Sequence, residues 1–382
     1  MRYTIGQLAE IIDGDRGKNY PKQDEFYPQG YCLFLNTGNV TKEGLIFEEN
    51  QFIMKEKDEA LRNGKLKRGD IVYTTRGTVG NAGYYNSSVP YENVRINSGM
   101  VILRSNGEIV DARFLYQILK SEYYRPYFKQ YCTGSAQPQL PIKNFSQIYL
   151  NVPDIKTQHR IADILSVYDN LIENNQKQIK LLEEAAQRIY KEWFVDLRFP
   201  GHENTKIVDG VPEGWSRGLL KELISVNYGK DHKKAPDDGN IPVYGSGGLM
   251  RKCNKSLFSG EAVLIPRKGS LNNIMYVDET FWTVDTMFYA TMKQPHTAVF
   301  VYFFVKAFDM YSMNIGAAVP SMTTKILDAM DVVIPDKETL EKFDKLTKTY
   351  FNKIKTLQGQ NERLKTARDL LLPKLMSGEV EV

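Results

Sequence analysis

A long internal repeat constrains the fold of this sequence more than any other feature. Residues 134–140 (GSAQPQL) return as residues 316–322 (GAAVPSM), an offset of 182 residues from Gly134 to Gly316. The same offset carries Lys143 onto Lys325 and continues without a gap into the stretch that follows. Because self-similarity at a fixed offset is typical of repeated structural units, we expect two related halves.

The front part of each half, about residues 1–155 and 205–336, alternates short apolar runs with turn residues. Such runs of β-branched and aromatic residues, bounded by Gly, Asn and Asp, predict strands. Two longer apolar stretches, Ala112–Lys120 and Ala298–Lys306, predict buried helices. A mixed α/β domain is therefore expected in each half.

The rear part of each half carries a seam residue every three or four positions over more than four heptads, as in a coiled coil. The apolar seam positions are Ile161, Leu165, Tyr168, Ile172, Ile179, Leu182 and Ile189 in the first copy, and Phe343, Tyr350, Ile354, Leu357, Leu364 and Leu371 in the second. Asn175 and Asn361 also fall on the seam, where they either set its register or mark a solvated break. Asp154 and Asp336, each directly after a proline, are expected to cap the two helices.

A long helix with one apolar stripe must bury that stripe, and each predicted helix has one equal partner in the chain. We therefore expect an antiparallel coiled coil related by a pseudo-twofold axis, with the two front domains held apart at its ends. Two core helices of a larger bundle remain the alternative. The expected fold class is α+β, divided as 1–155, 156–200, 201–336 and 337–382.

Composition and length exclude several classes of protein. A chain of 382 residues with 42% hydrophobic and 25% charged residues matches a globular protein of at least two domains. No window approaches the roughly 18 uncharged apolar residues of a membrane span, and the start lacks a signal peptide. The 3 cysteines are odd in number and far apart, and neither they nor the 4 histidines have metal-ligand spacing. A cytosolic protein without a metal site is expected.

Motifs for catalysis are weak or missing in the sequence. No P-loop occurs, and no nucleophile stands beside a base. The glycine run 244–248 (YGSGG) is similar to the S-adenosylmethionine loop of methyltransferases, but a tight turn is the favoured interpretation. Pro153-Asp154 and Pro335-Asp336 resemble part of a nuclease motif, yet their place at both helix starts favours capping. The chain is predicted not to be a catalyst.

Residue types that contact DNA cluster in glycine-containing loops. Arg and Lys read guanine, Asn and Gln read adenine, and Ser and Thr contact phosphate or bases. Two reading domains at a fixed separation suit a ligand with two separated sites, such as duplex DNA. Arg76 and Arg267 follow matching strands, at an offset of 191 residues from 76 to 267. The candidate DNA-binding residues are Thr75, Arg76, Thr78, Asn81, Ser135, Gln137, Gln139, Lys143, Lys233, Ser246, Arg267, Lys268, Ser270, Asn272, Ser321 and Lys325. The formal net charge of +4 decides neither for nor against DNA.

Several motifs together resemble the DNA specificity (S) subunits of type I restriction-modification systems. They are residues 134–140, 158–165 (QHRIADIL), 169–194, 212–215 (PEGW), 242–248 (PVYGSGG) and 265–270 (IPRKGS). The resemblance covers essentially the whole chain. It implies target-recognition domains at 1–155 and 201–336, each reading one half of a split, asymmetric DNA site. It also implies that the helices at 156–200 and 337–382 set the gap and recruit two adenine-methylating modification subunits.

The same resemblance implies that restriction subunits with translocase and nuclease activity join this core. It implies no cofactor on this chain, with S-adenosylmethionine, ATP and Mg²⁺ on the partner subunits. Two alternatives remain open from the residues. One is a self-sufficient DNA methyltransferase using the 245–248 loop, and the other is a coiled-coil scaffold that binds proteins and no nucleic acid.

Overall fold

The structure, a computed structural model, describes residues 1–134, 137–313 and 321–381. It divides into two compact units, one formed by Met1–Asn175 with Gly359–Val382 and the other by Gln176–Gln358. Each unit contains one mixed α/β region and part of both long helices. Because the division cuts through the helices, they do not form units of their own, and the four-part division 1–155, 156–200, 201–336 and 337–382 stays a prediction.

The mixed α/β region of the first unit is built from short strands and helices. Its strands are β1 (Arg2–Thr4), β2 (Ala9–Asp13), β3 (Cys32–Leu35), β4 (Val40–Thr41), β5 (Gly44–Leu45), β6 (Phe52–Ile53), β7 (Ile71–Thr74), β8 (Ala82–Tyr84), β9 (Val94–Ile96), β10 (Met100–Ser105) and β11 (Tyr149–Asn151). Its helices are α1 (Ile5–Leu8), α2 (Lys55–Ala60), α3 (Ala112–Lys120), α4 (Arg125–Lys129) and α5 (Ile142–Ser146).

The central sheet of the first unit has the strand order β2-β10-β7-β8, and a second sheet has the order β6-β3-β9. Strand β7 is buried on both faces, because Ile71 and Tyr73 join the core under α3 whereas Val72 joins the core under the second sheet. Side chains alternate along a strand, so a strand covered on both faces reads as the continuous apolar run seen in the sequence.

The mixed α/β region of the second unit is built on one larger sheet. Its strands are β12 (Ile207–Val208), β13 (Val211–Pro212), β14 (Ser216–Leu219), β15 (Ile224–Tyr228), β16 (Ile241–Gly245), β17 (Gly248–Cys253), β18 (Phe258–Pro266), β19 (Met275–Thr283), β20 (Met287–Met292) and β21 (Asp331–Ile334). Its helices are α7 (Ala298–Lys306) and α8 (Thr324–Asp328). The sheet has the order β15-β20-β18-β19-β16-β17. The predicted buried helices at 112–120 and 298–306 are confirmed as α3 and α7.

The long helices are α6 (Ile155–Tyr190), which continues into one π-helical turn (Lys191–Val195), and α9 (Lys337–Ser377). Both begin on the predicted aspartate cap. The Asp154 carboxylate accepts the backbone N–H of Thr157 at 3.1 Å, and Asp336 accepts that of Thr339 at 3.0 Å. The repeat offset of 182 residues relates α5 to α8, β11 to β21 and the start of α6 to that of α9.

Within each unit the two long helices pair in antiparallel fashion, as predicted. In the first unit, Ile161 and Leu165 share a core with Leu375 and Leu372. In the second unit, the Tyr190 and Phe343 rings lie 6.3 Å apart. Every seam position assigned from the sequence is buried or half-buried.

The seam asparagines are not a solvated break. Asn175 and Asn361 are 8% and 5% exposed, and the Asn175 amide Nδ2 donates to Asn361 Oδ1 at 2.9 Å. The pair therefore lies inside the seam of the first unit. Across the described ranges, no helix is both long and apolar enough to cross a membrane.

Candidate nucleic-acid interface

Three loops of the first unit meet where β7 ends, and we call residues 75–80, 97–99 and 137–140 the first loop cluster. The backbone N–H groups of Thr75 and Arg76 both donate to the Gly99 carbonyl, at 2.9 and 3.1 Å. The N–H of Leu140 donates to the Thr75 carbonyl at 2.9 Å. The repeated segment and the Arg76 loop, which are far apart in sequence, therefore lie side by side.

The first loop cluster presents part of the predicted DNA-binding set to solvent. Arg76, Thr78, Gln137, Gln139 and Lys143 are exposed, with Lys143 on the adjoining helix α5. Exposed guanidinium, amide and ammonium groups are the groups that read guanine and adenine or contact phosphates.

Two predicted residues, one in this cluster and one directly after it, point into the fold instead. The Thr75 hydroxyl donates to the Gly99 carbonyl at 3.1 Å, and the Asn81 amide donates to the Val40 carbonyl at 2.9 Å. Both residues are buried, so they support the loops and are not available to a duplex. Ser135 lies outside the described residues.

The second unit repeats the same backbone framework, and we call residues 267–273, 283–286 and 321–322, with the turn at Ser246, the second loop cluster. The N–H groups of Arg267 and Lys268 both donate to the Thr286 carbonyl, at 2.8 and 3.2 Å. The N–H of Met322 donates to the Arg267 carbonyl at 2.9 Å. Each contact has its counterpart in the first loop cluster.

This framework corrects one alignment made from the sequence. By hydrogen bonding, Thr75 corresponds to Arg267 and Arg76 to Lys268, an offset of 192 residues. The strand register agrees, because Met100 lies opposite Thr74 and Met287 opposite Pro266. The pairing of Arg76 with Arg267 is therefore wrong by one residue.

The shift of one residue changes which cation faces solvent, since neighbouring side chains of an extended segment point to opposite sides. Arg267 is half-buried, with its guanidinium 5.5 Å from the centre of the Tyr228 ring. Lys268 is exposed, as Arg76 is in the first unit. The matched exposed cations of the two loop clusters are thus Arg76 and Lys268.

The remaining predicted residues of the second unit divide into exposed and supporting groups. Ser270, Lys325 and Lys233 are exposed, whereas Ser246 and Ser321 are half-buried. The Asn272 amide donates to Asp309 at 2.9 Å and accepts the N–H of Met310 at 2.8 Å. Asn272 is itself exposed, and its two hydrogen bonds tie two loops together.

The glycine run at 244–248 closes the hairpin between β16 and β17, where Gly245 pairs with Gly248. Gly269, at φ +83°, lies against this turn, and a Cβ there would come within 2.5 Å of Ser246 Oγ. The Asn273 amide also donates to the Ser246 carbonyl at 2.9 Å. The run is a tight turn, as favoured from the sequence, and it supports the Lys268 loop.

Arg16, which contacts the first loop cluster, has no signal in the sequence. Arg16 donates to the Ser98 carbonyl at 3.2 Å and to Asp13 at 3.0 Å, while part of its side chain stays exposed. Arg16 and Ser98 are 82 residues apart. Because the pairing of β2 with β10 brings these segments together, no local pattern could have identified Arg16.

The described segments offer no cluster of three or more His, Cys, Asp or Glu residues that could hold a metal ion. Cys32, Cys132 and Cys253 are free thiols. Burial, together with the charge of Asp58, raises the pKa of the Cys32 thiol to about 12, so this thiol stays protonated at neutral pH.

Comparison with known proteins adds to this geometry. Residues 1–184 and 212–366 match the family described as Type I restriction modification DNA specificity domain. A relative, the type I restriction enzyme MjaIX specificity subunit of Methanocaldococcus jannaschii, is 24% identical over 82% of this chain and 78% of its own length. The type I restriction enzyme HindI specificity subunit of Haemophilus influenzae is 24% identical over 98% of this chain and 100% of its own.

A solved structure has the same fold. The crystal structure of the type I restriction-modification system S subunit from M. genitalium superposes with a TM-score of 0.56 at 18% identity. The superposition covers 98% of this chain and 95% of that one.

Proposed function

The chain belongs to the type I restriction-modification DNA specificity family, and we propose that each of its two units reads one half of a split, asymmetric DNA site. Members of this family recognise DNA sequence within a type I restriction-modification complex. The chain is the specificity component of such a complex, which assembles with DNA and with restriction-modification partner subunits, and catalysis belongs to the partners.

The observation that carries the proposal is the pair of loop clusters. Both are held by the same hydrogen bonds. In each cluster, the backbone N–H groups of two consecutive residues donate to one carbonyl, and the carbonyl of the first of those two residues accepts a third backbone N–H from the repeated segment. The exposed side chains differ, with Arg76 in one cluster and Lys268 in the other. A shared framework with different side chains supports two reading heads for two different half-sites.

The repeated helix starts support two modification subunits on one chain. The segments from α5 to the start of α6 and from α8 to the start of α9 keep one offset and one capping pattern, so they offer two equivalent surfaces. On this proposal S-adenosylmethionine, ATP and Mg²⁺ bind the modification and restriction subunits. Because the ligand is duplex DNA, the proposal places the complex in the cytoplasm.

Methylome sequencing of cells with and without the gene tests the proposal. We expect an adenine methylation motif of two unequal halves with a fixed gap, present only when the gene is present. A contiguous motif, or a motif that is independent of the gene, would refute it.

A gel shift with duplex DNA, with and without the modification subunit, then tests for salt-dependent binding. Methylation by the purified chain alone would show a self-sufficient methyltransferase, and no DNA binding in either state would show a scaffold.

A further inference from the structure

Helix α3 of the first unit is attached to the long helices by polar contacts. The side chains of Arg113, Gln117 and Lys120 lie on one face of α3, at the i, i+4 and i+7 positions expected for neighbours on a helix. Arg113 pairs with Asp163 of α6 at 2.6 Å. Gln117 and Lys120 both reach Asp169 of α6.

Asp169 is the centre of this attachment, and we call Gln117, Lys120, Asp169 and Arg368 the Asp169 network. Gln117 Nε2 donates to Asp169 Oδ2 at 2.6 Å, and Lys120 Nζ donates to Oδ1 at 2.6 Å. Arg368 of α9 donates to the same Oδ1 at 2.8 Å. The side chains of Lys120, Asp169 and Arg368 are 6%, 23% and 13% exposed, so the network is largely removed from water.

The second unit has aromatic residues at two of the matched positions, whereas Lys120 corresponds to Lys306, which donates to the Tyr302 hydroxyl at 2.7 Å. Helices α3 and α7 align end to end, which places Phe303 where the first unit has Gln117. The repeat offset places Phe351 where the first unit has Asp169. The rings of Phe303 and Phe351 lie 6.2 Å apart, so packing of apolar rings replaces the Gln117–Asp169 hydrogen bond of the first unit.

We propose that the Asp169 network is a positioning device that holds the first reading head in a single register on its helices and so makes the gap of the DNA site strict. This proposal rests on the proposed function. The four residues are positioning residues and touch no DNA.

The physical reason is the different tolerance of the two kinds of contact. Hydrogen bonds between charged groups are directional, and a buried charge that loses its partner is strongly disfavoured. If α3 slid or turned by one position on α6, Lys120 would be left buried and unpaired, and Asp169 would keep Arg368 as its charged partner. Aromatic packing is not directional in this way, since apolar side chains can repack at a modest energetic cost.

The test replaces the network by apolar residues of similar size. In the full chain with its modification subunit, the variant Gln117→Met/Lys120→Met/Asp169→Leu/Arg368→Met removes Lys120, Asp169 and Arg368 together, and proteins often tolerate the joint replacement of paired buried charges. It leaves Asp369, whose side chain is 30% exposed to water, without its contact to Arg368. Methylation is measured on the natural target and on targets whose gap is one base pair shorter or longer. We expect the ratio of wrong-gap to right-gap methylation to rise on the order of tenfold. An unchanged ratio in a folded variant would overturn the proposal.

Two controls make the result specific. Phe303→Leu weakens packing at the matched position of the second unit and should leave the ratio unchanged, whereas an equal rise would show that any loosening has this effect. If the fourfold variant fails to fold, Gln117→Met alone removes one hydrogen bond and keeps the charge pairs. It should raise the same ratio by a smaller factor, and no rise would overturn the proposal.

A measurement without DNA separates this inference from the proposed function. Spin labels on Glu108→Cys and Val167→Cys, at exposed positions of the head and of α6 in the first unit, report the distance between them in the isolated chain. Cys132→Ser removes the half-buried native thiol from the labelling background. The distance distribution should be narrow in the parent and broader in the fourfold variant, and equal widths would refute the positioning role. A wild-type complex that methylates no split site would refute the proposed function instead.

Discussion

At the scale of single residues, matched backbone positions carry different chemistry. Arg76 and Lys268 occupy the same place in the two loop clusters, but a guanidinium can bond one guanine with two N–H groups whereas an ammonium acts as a point charge. Because the backbone framework is shared, the proposed difference between the two half-sites depends on exposed side chains such as these two.

We expect Arg76→Ala to relax base discrimination in one half-site only, by about 1–3 kcal/mol for a lost guanine contact. Methylation of a DNA library randomised in both half-sites measures this loss of base discrimination. Lys268→Ala should instead weaken binding similarly for all sequences and lower the salt slope by about one. Exposed Lys342 on α9 is the control, since Lys342→Ala should change neither quantity. Equal loss in both halves for Arg76→Ala would contradict the assignment of one head to each half-site.

The Asp169 network predicts an unusual dependence of stability on pH. Burial lowers the pKa of Lys120 to about 8 from its ordinary value of 10.5, and the charge of Arg368 adds to this effect. Burial alone would raise the pKa of Asp169, but Lys120 and Arg368 together lower it, so Asp169 stays ionised.

Between pH about 8 and 10.5 the unfolded chain therefore binds more protons at Lys120 than the folded chain does. The contribution of this group to the free energy of unfolding rises with pH across that window, by at most about 1.4 kcal/mol per pH unit. Denaturant unfolding of wild type and Lys120→Met at several pH values measures it. The free energy of unfolding of wild type minus that of Lys120→Met should increase with pH across this window. A difference that falls with pH would show that Lys120 has a raised pKa.

At the scale of elements, the long helices are specified by strong local signals. Their caps, their apolar seam and the bounds of α3 and α7 all follow from residues a few positions apart. The Asn175–Asn361 pair is different, because its two amides come from helices 186 residues apart in the chain. Because the pair is buried, its hydrogen bond favours the one alignment of the two helices in which the amides face each other.

We expect Asn175→Leu to destabilise the chain by about 1–3 kcal/mol, because the Asn361 amide is then buried without a partner. Asn175→Leu/Asn361→Leu should recover most of that loss or exceed wild-type stability, since both polar groups are then gone. Denaturant unfolding of the four proteins of this double-mutant cycle measures the coupling. Strictly additive losses would contradict a direct bond between the two amides.

At the scale of the whole molecule, the boundary between the compact units cuts α6 at Asn175–Gln176 and α9 at Gln358–Gly359. The hydrogen bonds of both loop clusters, the Asp169 network and the Asn175–Asn361 pair each lie within one unit. An insertion at this boundary therefore leaves the reading loops and both sets of helix contacts intact.

Inserting one heptad, about seven residues, after Gln176 and another after Gln358 keeps the seam in phase in both helices. Each helix then lengthens by about 10 Å, the rise of about three base pairs. We expect the gap of the methylated site to widen by about three base pairs with both half-sites unchanged, as read by methylome sequencing. The matched control inserts the heptad in α6 alone, which misaligns the seam and should lower stability. Altered half-sites in the double insertion would contradict a spacer role for the helices.

The sequence alone was sufficient where the determinants are local or periodic. The repeat, the helical seam, the aspartate caps and the two apolar helices depend on spacings of a few residues, which the chain displays directly. The resemblance carried by its motifs likewise pointed to the DNA specificity family. Arg76, Gln137 and Gln139 are exposed, and their assignment as DNA contacts, made because loop glycines and base-reading side chains are adjacent in the sequence, stays a prediction.

Tertiary structure decided everything that depends on strand register and on distant partners. It paired Arg76 with Lys268 and not with Arg267, and it turned Thr75 and Asn81 into the fold. It also assembled the Asp169 network from segments between 49 and 199 residues apart. A slip of one residue reverses which side chains face solvent, and a buried charge is tolerable only beside its partner. Both depend on which segments become neighbours when the chain folds, which local patterns do not record.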